Sequence, residues 1–213
     1  MKIVIFANGE LENHEFYVQN AENADFIICC DGGSAHAAKL NIVPNVILGD
    51  MDSVDPAITH KFKGWGVIFE KFPAQKDATD LELAISFAMQ KQPDQIVVLA
   101  GFGGRPDHFI GNIHALVPAA KSSIKAFLLG PNAKASIIHG YASIAREHYD
   151  HISLIPLTTE ARGVTTRGLA YPLQNETLHI GTTRGISNAF TEDAATISVN
   201  ADGLLLAICT RGA

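Results

Sequence analysis

The chain has 213 residues, 47 % of them hydrophobic and 18 % charged, and a formal net charge of −6. That composition excludes a disordered chain and suffices to bury the core of one large domain or two small ones. The acidic balance, with no run of Lys and Arg, argues against a nucleic-acid partner. An anionic small-molecule substrate would therefore need a local cationic patch or metal ions.

The opening KIVIFA reads as a first strand. Its apolar run is too short for a signal-peptide core or a membrane span, so no membrane role is expected. From there to GPNAK at 130–134, near-continuous apolar runs (KIVIFA, ADFIICC, NVILGD, GVIFEKF, QIVVLAG, IKAFLLG) suit strands covered on both faces. Between them SAHAAKLN, DPAITHKFKGWG, DLELAISFAMQKQ and DHFIGNIHALVPAAK repeat apolar residues at helical spacing. Strand and helix in alternation predict a three-layer α/β domain with a mostly parallel sheet over residues 1–130.

Beyond that point the texture changes to short β-rich pieces, ASIIHG, HISLIPLT, GVTTRGL, ETLHIG, ISNAF, TISVN and LLLAICT, punctuated by Gly, Pro, Asn or Asp. These predict an all-β sandwich or barrel over residues 131–213. The three cysteines, Cys29, Cys30 and Cys209, are odd in number and two are adjacent. Buried, reduced thiols of a cytoplasmic protein are the expectation.

The chemistry gathers where strands end. Asp50 and Asp52 follow VPNVIL, at the sheet edge where open α/β folds bind ligands. A regular strand would send both to one face. KDATDLE brings Asp77, Asp80 and Glu82, and its Thr79-to-Glu82 segment is also a capping box that starts a helix. Close carboxylates repel, and hard oxygen donors on such loops suit Mg²⁺, which shares substrate phosphates. LAGFGGRPDH, residues 99–108, offers a glycine turn ahead of a helix, with Arg105 as a forked cation for phosphate. It is neither a dinucleotide fingerprint nor a P-loop. In CDGGSAH, Asp31 either bonds a ribose or caps the next helix.

Taken together, CDGGSAHA, ILGDMDSV, FPAQKDATDLELAI, GGRPDHFIGNI and GTTRGISNAF, in this order, resemble thiamine pyrophosphokinases across nearly the whole chain. The resemblance implies transfer of the pyrophosphoryl group of ATP to the thiamine hydroxyl, giving thiamine diphosphate and AMP. It implies Mg²⁺ held by Asp50, Asp52 and Asp80, with Lys76, Asp77, Arg105 and Asp107 near the phosphates. It places Asp31, Gly32 and Gly33 in the nucleotide loop. Thiamine would meet Tyr171, Ser187 and Asn188 of the β domain, in a homodimer whose active sites are shared between subunits. Some relatives carry Trp at the aromatic position; Tyr offers a cationic ring a weaker face. Asp77 and Asp80 are the candidates for a general base. The rival readings are a pyrophosphokinase for another hydroxymethyl heterocycle, such as a pterin, and a non-catalytic sensor of thiamine or nucleotide.

Overall fold

The structure, a computed structural model, describes residues 1–52, 54–73 and 77–212. It divides into two compact units, Met1–Pro131 and Asn132–Ala213. In the first the chain runs β1 (Lys2–Phe6), α1 (His14–Glu22), β2 (Phe26–Cys30), α2 (Gly33–Lys39), β3 (Val46–Gly49), α3 (Pro56–Gly64) and β4 (Ile68–Lys71). It continues through α4 (Asp80–Gln90), β5 (Gln95–Leu99), α5 (Pro106–Ala115), α6 (Val117–Lys121) and β6 (Lys125–Leu129). The strands lie parallel in the order β6-β5-β1-β2-β3-β4.

Alternate residues of the central strands serve opposite faces. Val4, Phe6, Cys29, Ile47, Val97 and Leu99 form one core with Tyr17 and Ala21 of α1, Ala37 of α2 and Phe62 of α3. On the other face α4 lies across β1, β2 and β3 and buries Leu81, Ala84, Ile85 and Ala88. Helix, sheet and helix make the three layers that the alternation predicts. All three cysteines are buried and unbridged, and no helix among the described residues is long and apolar enough to cross a membrane.

Two helices differ from the sequence reading. Helix α1 is not foreseen, because it buries only Tyr17 and Ala21 and so writes a thin apolar stripe. The expected single helix from 107 to 121 is broken at Leu116 into α5 and α6. Pro118 lacks the N–H that would continue the α5 ladder.

The second unit runs β7 (Ala133–Ile138), β8 (Tyr141–Ala145), β9 (His151–Pro156), β10 (Glu160–Arg167), β11 (Glu176–His179), β12 (Asn188–Ala189), β13 (Ala194–Ser198) and β14 (Leu205–Thr210). Antiparallel pairings order them as β12-β9-β14-β7 and β11-β10-β13-β8. Ile152, Leu154 and Leu205 of one sheet and Ala161, Val164 and Ile197 of the other share a core, so the two pack face to face. Strand β8 is absent from the sequence reading: of its five residues only Ile144 is buried. Pairing with β13 makes it a strand, a cause that lies fifty residues downstream.

Tyr149 is the largest fully buried side chain, and its hydroxyl has no hydrogen-bond partner among the described residues. Burial pushes its acidity well below that of a free phenol. An unmade bond of this kind costs about 1–3 kcal/mol, so Tyr149→Phe should raise the melting temperature by about 2–4 °C per kcal/mol recovered. Thermal melts of the two proteins check it; a lower temperature for the variant would mean that the hydroxyl is satisfied.

Candidate functional site

Sequential order carries the chain from β1 through β4 in one direction, then back to β5 on the other side of β1. The reversal between β1 and β5 is the switch point at which loops part and open sheets form a crevice. Here a cleft of about 410 Å³ opens at the carboxyl ends of the strands. Asn8 and Gly9 after β1, Asp31 and Gly32 after β2, and Gly103, Gly104 and Arg105 after β5 line it. Thr79 and Asp80 close it from the start of α4, His108 and Asn112 from α5.

Local rules put these groups in place. Thr79 caps α4, its hydroxyl accepting the Glu82 N–H at 3.2 Å, as the T-x-x-E pattern predicts. Asp80 therefore sits in the first turn, where the helix dipole favours a carboxylate. Gly103 and Gly104 take φ of +75° and +68°, and Pro106 starts α5 with Arg105 as its N-cap. Past the strand ends β1 and β5 stay laced: Ala7 donates to Leu99 O at 2.9 Å and Gly9 to Ala100 O at 2.7 Å. Arg105 Nε and Nη2 grip Asp107 Oδ1 and Oδ2 at 3.1 and 2.5 Å. That bond holds the Asp107 carboxyl down at about 2 and raises the guanidinium further.

The acidic turn departs from the expected geometry. Strand β3 stops at Gly49, Met51 has φ of +68°, and Asp50 Oδ1 accepts the Asp52 N–H at 3.0 Å. An Asx-type turn, not strand alternation, relates the two carboxylates. Among the described residues no group of three or more His, Cys, Asp or Glu is gathered closely enough to hold a metal ion.

A second recess, about 330 Å³, lies in the β unit and is lined by Leu154, Tyr171, Pro172, Leu173, Arg184, Gly185 and Asn188, with Ala170. Asn188 clamps the Tyr171 backbone, its Oδ1 accepting Tyr171 N–H at 3.0 Å and its Nδ2 donating to Tyr171 O at 2.7 Å. The Tyr171 side of the recess is open, the residue being 73 % exposed. Arg184 is paired bidentately with Glu176 at 2.6 and 2.8 Å, which offsets its positive charge.

Comparison with known proteins follows the same division. The family model "Thiamin pyrophosphokinase, catalytic domain" matches residues 17–128, and "Thiamin pyrophosphokinase, vitamin B1 binding domain" matches 142–204. The thiamine pyrophosphokinase of Bacillus subtilis (strain 168) is 33 % identical over 180 residues, covering 84 % of each chain. The chain belongs to the thiamine pyrophosphokinase family. Its fold is also that of solved thiamine pyrophosphokinases. The Bacillus subtilis crystal structure matches at TM-score 0.87 and 29 % identity over 100 % of both chains. That of Geobacillus thermodenitrificans matches at 0.85 and 25 %, over 100 % of this chain and 99 % of the other.

Against the thiamine pyrophosphokinase pattern, Asp31, Gly32, Asp80 and Arg105 meet in the first cleft, and Tyr171 and Asn188 in the second recess. Asp50, half-buried, and Asp52, Asp77 and Asp107, exposed, stand outside the cleft lining. Lys76 lies outside the described residues. Gly33 faces the backbone of β1: a Cβ there would fall 2.1 Å from Phe6 O. Asp31 does not cap α2, whose N-cap is Gly32 without a side-chain bond; its carbonyl accepts Ser34 N–H and Oγ–H instead. Ser187 has φ of +56° and gives its N–H to Ser153 Oγ at 3.0 Å, outside the recess. Sequence reasoning passed over Asn8, Glu10, His36 and Arg184. His36 Nε2 meets Gly9 O at 2.8 Å, and burial lowers its basicity. The ANGE segment directly after the first strand was the available signal.

Proposed function

We propose that this chain is a thiamine pyrophosphokinase that moves the pyrophosphoryl group of ATP onto the thiamine hydroxyl, releasing AMP and leaving thiamine diphosphate. One observation carries the reading. A stretch matched by the catalytic-domain model holds a cleft of phosphate-binding character, and a stretch matched by the vitamin B1 model holds a recess with an open aromatic residue.

The donor set at the sheet edge is carboxylate oxygen throughout, which fits Mg²⁺. Asp50, Asp52 and Asp80, which are not gathered closely enough to hold a metal ion among the described residues, would have to draw together around it, and the ion would supply charge neutralisation to the ATP phosphates. Arg105, held by Asp107 through Nε and Nη2, would offer its remaining guanidinium N–H groups to phosphate oxygens, and the N-terminus of α5 adds a positive end. Asp31 and Gly32 face the nucleotide. Asp77 would flank the phosphates, the place the family resemblance also gives to Lys76, which lies outside the described residues. A bond forms from the thiamine oxygen to the β-phosphorus as the bond from that phosphorus to the α-phosphate oxygen breaks, the hydroxyl proton leaving to water or to a candidate base, Asp77 or Asp80. The loose transition state asks little of a general base, so positioning and charge supply most of the rate. In the β unit Tyr171 would lie against the cationic thiazolium, with Asn188 fixing its backbone and Ser187, next in sequence, outside the recess lining. Two copies of the chain share each site, one giving the acidic groups and the other Tyr171. The protein works in the cytoplasm.

An AMP-release assay with ATP and Mg²⁺ tests the activity: thiamine should support turnover, and thiamine monophosphate and a hydroxymethylpterin should not. Turnover with the pterin alone would overturn the reading. Tyr171→Ala should raise the thiamine KM by roughly 2- to 30-fold and leave the ATP KM unchanged. Mixing Asp50→Asn with Tyr171→Ala chains, at thiamine well below the KM of the latter, should add about a quarter of the unmodified rate from hybrid dimers to what the Tyr171→Ala dimers retain. That value follows if half of the dimers are mixed and each has one intact site. No recovery on mixing would exclude sites shared between copies.

A further inference from the structure

The Gly103–Gly104 turn is the part of the cleft with most freedom to lose, because two successive glycines there adopt left-handed φ. Among the described residues, one side chain holds it. Glu10 Oε1 accepts the Gly104 N–H at 3.0 Å, across 94 positions of sequence. The carboxyl of Glu10 also lies under Gly103 so closely that a Cβ at that glycine would sit 2.6 Å from it. Glu10 is itself anchored: its N–H bonds Phe102 O at 3.2 Å and its carbonyl accepts the Tyr17 hydroxyl at 3.2 Å. The preceding residue is held by Ala100 O and by His36. Arg105 follows directly on this pinned turn. Glu10 does not line the cleft.

We propose that Glu10 is a positioning residue for the nucleotide: it fixes the glycine turn so that Arg105 meets the phosphates, without touching them itself. The proposal rests on the function proposed above. Two effects of the carboxylate have opposite signs. Its hydrogen bond orders the turn and favours phosphate binding, whereas its negative charge repels the phosphates. Glutamine keeps an acceptor and drops the charge; alanine drops both.

Calorimetric titration with ATP and Mg²⁺, in the full chain without thiamine, separates them. Glu10→Ala should weaken ATP binding by about tenfold, the value of one charge-assisted hydrogen bond. Glu10→Gln should recover most of that loss. In turnover, the alanine variant should raise the ATP KM and spare the thiamine KM, with its melting temperature unchanged. Two variants that both bind ATP more tightly would show that charge alone matters and overturn the proposal. So would an alanine variant with unaltered affinity, or one whose KM values rise together as the protein loses stability. If ATP binds but thiamine is not turned over, the proposed function falls while the affinities still decide the role of Glu10. If the unmodified chain binds no ATP, both fall.

Discussion

Asp50→Asn should lower thiamine diphosphate formation by roughly one hundred- to one thousandfold, the usual cost of removing one charge-stabilising group from a reaction centre. The protein should nevertheless melt as before. Asp50 accepts the Asp52 N–H through Oδ1, and an asparagine carbonyl can accept the same bond, so the turn after β3 keeps its shape. What disappears is a hard anionic oxygen at the strand end. Asp52→Asn should behave alike, since that side chain is exposed and its loss disturbs no packing. Glu82→Gln is the control, because Glu82 lies at the third position of α4, within the capped first turn. Its effect should stay within a few tenths of a kcal/mol. AMP release at saturating Mg²⁺, paired with thermal melts, is the measurement. Near-normal turnover in either aspartate variant would remove the metal from this edge of the sheet.

Gly33→Ala should strongly destabilise the fold. The added methyl would lie 2.1 Å from Phe6 O and 3.0 Å from Ala7 O. Phe6 O cannot retreat, for β1 is paired on one side with β2 and on the other with β5. Overpacking against fixed backbone belongs at the upper end of the observed range, about 3 kcal/mol or more. In a chain of this length that corresponds to a fall of about 6–12 °C in melting temperature. Gly111→Ala supplies the opposite sign. Nothing lies within 4 Å of its Cβ position, and α5 continues on both sides of it. There the exchange should stabilise by about 0.5–1 kcal/mol. Equal melting temperatures for the two variants would contradict the packing assigned to α2 against β1.

What could be read from the sequence was whatever is written locally. The parallel strands announce themselves through runs such as FIICC and QIVVL, buried on both faces. Thr79 and Glu82 mark the start of α4 within four residues. By contrast α1 and β8 bury too little to leave a pattern. The same division holds at the candidate site. Arg105, Asp80 and Asp31 were visible because each stands beside a strand-end or helix-start signal. Glu10 was not, because its meaning depends on β1 and β5 becoming neighbours, 94 positions apart at the contact that matters. Asn188 is a candidate contact to substrate from its sequence alone; that its amide bonds the backbone of Tyr171 and Ala189 is visible only in the fold. A residue type can be read from sequence; what its amide faces comes only from the fold.

The central place of β1 has a consequence for how the protein is made. Its second partner, β5, does not exist until residue 99 has left the ribosome. A nascent chain reaching residue 71 can assemble β1 to β4, but β1 is then the rim of that partial sheet. Ile3, Val4, Ile5 and Phe6, all fully buried in the finished protein, then border a ladder open on one side. Open apolar rims recruit other chains, so this interval is the one in which translation speed and chaperone capture bear most on yield. Slow codons decoded while residues 72–99 emerge would prolong it, and fast ones would shorten it.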